Sequence, residues 1–156
     1  MQLSEHFTLE ELTFSPTAKA RGIDNSTSSL RIIGNMRNLC EQILEPLRSY
    51  ANQPITISSG YRCKVLNRIV GGARNSQHMT GEAADIHIPP YDFKDSEGSR
   101  LTNIETGREW MQWLTDNTDF DQLILETVNR KIFWIHVSCK RNRSLNRHQV
   151  IRFMQK

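Results

Sequence analysis

Two histidines and an aspartate carry the strongest hint of chemistry in this sequence. The densest polar stretch is Ser76-Gln77-His78-Met79-Thr80-Gly81-Glu82-Ala83-Ala84-Asp85. Histidine is the commonest protein ligand for zinc, and a carboxylate can complete a mixed site. His78 falls on a loop and Asp85 in the strand that follows. Gly81 permits the sharp turn that lets both face one point. A third ligand has to come from far along the chain. His136, in Trp134-Ile135-His136-Val137-Ser138, sits mid-strand among apolar neighbours, where an unpartnered imidazole is costly. Two histidines, one aspartate and a water make an open, catalytic type of zinc site. Spacing alone does not separate such a site from three polar groups satisfied by ordinary hydrogen bonds.

The elements that must position these residues can be read from periodicity and caps. Thr8 with Glu11 forms a capping box at the start of a short helix. Leu30, Ile33, Met36, Cys40, Ile43 and Leu47 make one apolar stripe of a long amphipathic helix, which Pro46 should kink or restart. A β-branched strand is expected over 54–58, a helix over 64–70 ended by Gly71-Gly72, and a strand over 83–88 stopped by Pro89-Pro90. Residues 91–103 read as a polar excursion, and 105–117 as a helix carrying Trp110, Trp113 and Leu114. Strands over 122–126 and 132–138, joined by a turn near Asn129, precede a last strand over 149–154. Helices first and antiparallel strands late predict an α+β fold, with N-terminal helices packed on a mainly antiparallel central sheet.

Composition bounds the rest. The 156 residues fit one domain over 1–156 with one core. Hydrophobic residues at 37% and charged residues at 24% are ordinary for a soluble globular protein. No apolar run is long enough to span a bilayer. The N-terminus lacks a basic region followed by an apolar run, so no secretory signal is recognisable. The chain is expected in the cytoplasm at synthesis, acting elsewhere after release or non-classical export. Cys40, Cys63 and Cys139 are odd in number and lack CxxC spacing, and read as reduced thiols. The net charge of +3 is uneven: Lys140, Arg141, Arg143, Arg147, Arg152 and Lys156 crowd the C-terminus. They could attract a polyanion, or simply form a solvated loop and a charged edge strand.

The order of several motifs is more specific than any one of them. Ser58-Ser59-Gly60-Tyr61-Arg62, Leu66-Asn67, Val70-Gly71-Gly72, Ser76-Gln77-His78, Gly81-Glu82-Ala83-Ala84-Asp85-Ile86 and Trp134-Ile135-His136-Val137-Ser138 together resemble the zinc D-alanyl-D-alanine carboxypeptidase family. That family shares its fold with the hedgehog signalling domain and includes phage endolysins. The resemblance runs from about Phe7 to Ser138. It implies one zinc per chain on His78, Asp85 and His136, and hydrolysis of a D-Ala-containing bond in the peptide stem of bacterial peptidoglycan. It implies that Arg62 stabilises the oxyanion or binds the substrate carboxylate. Ser76 and Gln77 could donate to the substrate or fix His78. The chain is expected to be a monomer.

One family feature is missing. The acid that serves as general base lies three residues before the last histidine, and here that position is Phe133. Glu126 on the preceding strand is the substitute. A two-residue turn would place it opposite Phe133, and a three-residue loop on the face of His136. Asp121 is the reserve, and Glu82, beside Gly81, is expected to be exposed. His87 shares the face of Asp85 and reads as a rim residue, and the tryptophans read as core. Two alternatives stand beside the enzyme. One is a catalytically weak or inactive wall-binding or phage structural module of the same fold. The other, a nucleic-acid binder, would need aromatic residues interleaved with the C-terminal charges, and only Phe153 is there, so no nucleic-acid partner is expected.

Overall fold

The computed structural model describes residues 1–89, 97–98, 102–129 and 132–156, so most of the excursion expected over 91–103 lies outside the described residues. Helices α1 (Leu9–Thr13), α2 (Pro16–Arg21), α3 (Leu30–Leu39) and α4 (Glu45–Ala51) come first. Strand β1 (Ile57–Ser59), helix α5 (Lys64–Ile69), strand β2 (Ala83–His87), helix α6 (Asn103–Asn117) and strands β3 (Gln122–Val128), β4 (Ile132–Ser138) and β5 (Gln149–Gln155) follow. This is the α+β class that the sequence indicates. No helix among the described residues is long and apolar enough to cross a membrane.

The Thr8–Glu11 capping box opens α1 as expected, and a second box, Thr102 with Glu105, opens α6. The long apolar stripe is split in a specific way. Between α3 and α4 the chain makes a π-helical segment, Cys40–Leu44, just before Pro46. A proline ring collides with the carbonyl four residues back, and the wider turn is one way to relieve that clash. Ile33, Met36, Cys40, Ile43 and Leu47 are buried, but Leu30 is 86% exposed. It is the first helical residue after the Ser29 cap, at the open end of α3.

The five strands form one sheet in the order β1-β2-β4-β3-β5. β1 is shorter and later than expected. All neighbours are antiparallel except β3 and β5, which run parallel. One face meets the helices: Ala84 and Ile86 on β2, Leu123 and Leu125 on β3, and Phe133, Ile135 and Val137 on β4 join Trp110 and Leu114 of α6 in the core. Strand alternation sends the residues between them to the other face.

The parallel pairing of β5 requires the chain to cross the start of β3 after leaving β4. Asp121 fastens that crossing. Its side chain is fully buried and accepts from the Arg147 backbone N–H at 2.8 Å, Arg147 Nη2 at 2.8 Å and Gln77 Nε2 at 3.0 Å. Burial pushes the Asp121 pKa upward, but these donors outweigh it and hold the carboxyl down at about 2. The sequence-based view of Asp121 as a reserve base on the strand is therefore corrected: it precedes β3 and its oxygens are committed. Asp121→Asn should cost about 2 kcal/mol, the linkage equivalent of that pKa shift, since the partner cations left behind stay solvated. The folded-state pKa lies below the unfolded value of 3.8, so the contribution is present above pH ~4 and fades as pH falls toward 2. Urea unfolding of both proteins across that range should show the gap between them shrinking with acid.

Candidate metal centre

His78 sits in a tight 3-10 turn, Gln77–Thr80, whose first N–H groups need a cap. The Ser76 hydroxyl accepts from the His78 N–H at 3.2 Å, so Ser76 fixes the ligand loop from within. Gly81 then reverses the chain with φ of 76°, and a Cβ there would lie 2.7 Å from the Ile32 carbonyl oxygen. Only glycine meets both conditions, and the turn delivers Asp85 onto β2.

Loop 60–63 supplies the back wall. Gly60 packs so tightly on α1 that a Cβ would fall 2.2 Å from the Leu12 carbonyl oxygen. Its own carbonyl lies 2.7 Å from His78 Nδ1. A proton on Nδ1 donates to that oxygen and leaves the Nε2 lone pair free, the arrangement that orients metal-binding imidazoles. Nε2 lies 3.3 Å from Asp85 Oδ1. His136, directly opposite Asp85 across β2 and β4, brings its Nδ1 to 3.1 Å from the same oxygen. One ligand atom from each of the three lies within 4.8 Å of the others. Ligands about 2.0–2.2 Å from a tetrahedral zinc sit about 3.3 Å apart, so the spacing fits such an ion.

Arg62 completes the frame. Its Nη2 donates to Asp85 Oδ2 at 3.2 Å, its Nε to Ser59 Oγ at 3.0 Å and its Nη1 to Asn67 Oδ1 at 3.5 Å. With Oδ2 held by Arg62, Oδ1 is left for a metal. Burial alone would raise the Asp85 pKa, but His78 and His136 outweigh it and hold the carboxyl far below the ordinary carboxylate range. Burial lowers the Arg62 pKa, and the charges of Asp85 and Glu126 oppose that shift. The guanidinium stays protonated at any physiological pH.

The register of β3 on β4 places Glu126. Glu126 pairs with Trp134 and Val128 with Ile132, leaving three residues, 129–131, between the strands. Asn129 adopts a left-handed φ of 53°, which asparagine tolerates better than most residues. Glu126 therefore shares the face of His136 and Asp85, one diagonal step from His136. It is 6% exposed, and Lys156 Nζ lies 3.6 Å from its Oε1. Phe133 is buried in the core, so its ring points away from this face.

These side chains line a cleft of about 570 Å³ that contains Arg62, Gln77, His78, Asp85, Glu126 and His136. Gln77 reaches the cleft while its amide is tied to Asp121. Glu82 is corrected from exposed to half-buried: it lines the cleft and accepts from the Thr80 hydroxyl. His87 is exposed and does not line the cleft; it borders a separate hollow with Gln53, Pro54, Thr56 and Pro89, which corrects its reading as a rim residue. Trp110 is core and Trp113 is half-buried, stacked on Tyr50, whereas half-buried Trp134 shares the site face of the sheet. All three cysteines are free. Sequence reasoning missed Asn67 as a support for Arg62, and Lys140, Arg147 and Lys156 as cleft residues. The C-terminal charge cluster was the available signal, but its place depends on the unforeseen parallel pairing of β5.

A stretch of 35 residues is 51% identical to the zinc D-Ala-D-Ala carboxypeptidase of Streptomyces albus G. It covers 22% of this chain and only 14% of that protein. The peptidase M15 family model matches residues 5–108, two-thirds of the chain, including His78 and Asp85 but ending before β3 and β4. Folding alone brings His136 and Glu126 to the matched part, and with two-thirds of its length fitting the family model the chain belongs to the peptidase M15 family.

Proposed function

We propose that this peptidase is zinc-dependent and hydrolyses a D-Ala-containing peptide bond of bacterial peptidoglycan, as a D-alanyl-D-alanine carboxypeptidase or an endolysin-type endopeptidase. The observation that carries the reading is the convergence of His78, Asp85 and His136 with a buried carboxylate, Glu126, on one sheet face. His78 Nε2, Asp85 Oδ1 and His136 Nδ1 would hold the ion. A zinc there supplies Lewis acidity, lowering the pKa of water toward neutrality and polarising the scissile carbonyl. Glu126 takes the proton of the attacking water and passes it to the leaving amine. Arg62 holds Asp85 in register and stabilises negative charge on the carbonyl oxygen. The similarity to a zinc D-Ala-D-Ala carboxypeptidase supports the substrate class.

The absence of an acid at Phe133 is what an inactive wall-binding module would show. Glu126 answers it, because the three-residue loop puts a carboxylate on the metal face without one at 133. The test is mass analysis of muropeptides after digestion of peptidoglycan by the zinc-loaded protein. Loss of a terminal D-Ala, or scission of a cross-link or stem bond, is expected. Unchanged muropeptides together with retained wall binding would decide for the inactive module.

A further inference from the structure

Two glutamines line the cleft, Gln77 beside the metal ligand His78 and Gln122 at the start of β3. A glutamine amide offers a carbonyl oxygen on one side and an NH2 on the other, and its neighbours decide which way round it sits. Gln122 Nε2 donates to Gln149 Oε1 at 2.7 Å, but Gln149 is an amide too, and the pair can turn over together. Gln77 has no such freedom. Its Nε2 donates to Asp121 Oδ2 at 3.0 Å. Asp121 is fully buried and takes N–H donors from Arg147 on both oxygens, so it stays a carboxylate and can only accept. Reversing the Gln77 amide would set a carbonyl oxygen against that anion. A hydrogen bond to a charged group favours the observed orientation by roughly tenfold or more.

Fixing the nitrogen also fixes the oxygen. Gln77 Oε1 accepts no hydrogen bond from any described residue, although the side chain lines the cleft. Several acceptors around it are engaged: Ser76 Oγ by the His78 N–H, Glu82 by the Thr80 hydroxyl, and Asp85 by Arg62 and the two histidines. A peptide brings N–H groups that lose water on entering a cleft, and each needs an acceptor there. The scissile nitrogen is served by Glu126 in the mechanism above, which leaves the N–H groups on the acyl side of the bond.

We infer that Gln77, oriented by Asp121, binds the substrate through Oε1, which accepts a main-chain N–H on the acyl side of the scissile bond. This rests on the peptidase reading above, and it is the opposite of the donor role expected from the sequence. Asp121 is then a positioning residue as well as the fastening of the β5 crossover. An ester oxygen in place of that N–H would face the Gln77 carbonyl with nothing to donate. The contact therefore selects an amide over an ester at a link that is not cut.

The test uses the zinc-loaded full chain and a peptide ending in D-Ala-D-Ala, with a ketomethylene link in place of the scissile amide. Calorimetry then reads binding without turnover. In two further analogues an ester oxygen replaces one N–H, either that of the residue supplying the scissile carbonyl or that of the residue before it. One of the two should bind roughly tenfold more weakly than the all-amide peptide, the effect of one lost hydrogen bond. Gln77→Met keeps the length of the side chain and should abolish that difference. Asp121→Asn should reduce it, because an asparagine can meet either end of the Gln77 amide. Equal binding of all three peptides by the unmodified protein, or a difference that survives Gln77→Met, overturns the contact. A difference that Asp121→Asn leaves untouched overturns its orientation by Asp121. Hydrolysable versions separate the two readings. An amide preference that depends on Gln77, without cleavage, keeps the contact and removes the enzyme, and cleavage with no such dependence does the reverse.

Discussion

His78→Ala should abolish metal binding and peptidase activity together. Nδ1 faces the Gly60 carbonyl at 2.7 Å, so Nε2 points at Asp85 with its lone pair available. Deleting the ring leaves Asp85 and His136, and two ligands do not hold a catalytic zinc that normally has three. Loss of a supporting group behind a ligand already weakens metal affinity by about 10- to 100-fold, and loss of the ligand itself should exceed that. The expected result is less than one-tenth of a zinc per chain after dialysis against buffer, against one for the unmodified protein. The ring is buried, so folding must be followed separately by near-ultraviolet circular dichroism. Stoichiometric zinc in a folded His78→Ala protein would refute the ligand set.

Much of this frame is legible in the sequence because its signals are local. Capping boxes, the Ile33-to-Leu47 stripe, and the Gly81 turn between His78 and Asp85 depend on residues a few positions apart. His136 stands out locally as an imidazole among apolar strand residues, but only the resemblance ties it to a loop some fifty residues earlier, since no local rule does. What stayed open depended on pairing. The face taken by Glu126 changes with a single residue of hairpin loop, and the sequence around Asn129 accommodates either length. The role of Asp121 follows from the crossover to β5, a long-range event that strand propensity does not encode. Leu30 shows a smaller limit, since periodicity marks a stripe without saying where the helix meets solvent.

Glu126→Gln should leave zinc and fold intact while lowering kcat by a factor of about 100 or more, the usual scale for loss of a general base. Zinc can lower the pKa of water, but a proton must still leave it and reach the amine nitrogen. Phe133 is in the core, Asp121 is saturated by Arg147 and Gln77, and Glu82 is bonded to the Thr80 hydroxyl. Among the carboxylates of the cleft, Glu126 alone lies on the ligand face of the sheet beside His136 without being a ligand. Its partner Lys156 is 3.6 Å away and about half exposed, a contact weak enough to yield to a substrate. Glutamine keeps the shape and can still accept a hydrogen bond, but it cannot take a proton near neutrality. The loss should therefore fall on kcat rather than KM. Zinc content by atomic absorption and unfolding midpoint should match the unmodified protein. Near-normal turnover in a fully metallated Glu126→Gln protein would exclude Glu126 as the base and move the role to Glu82.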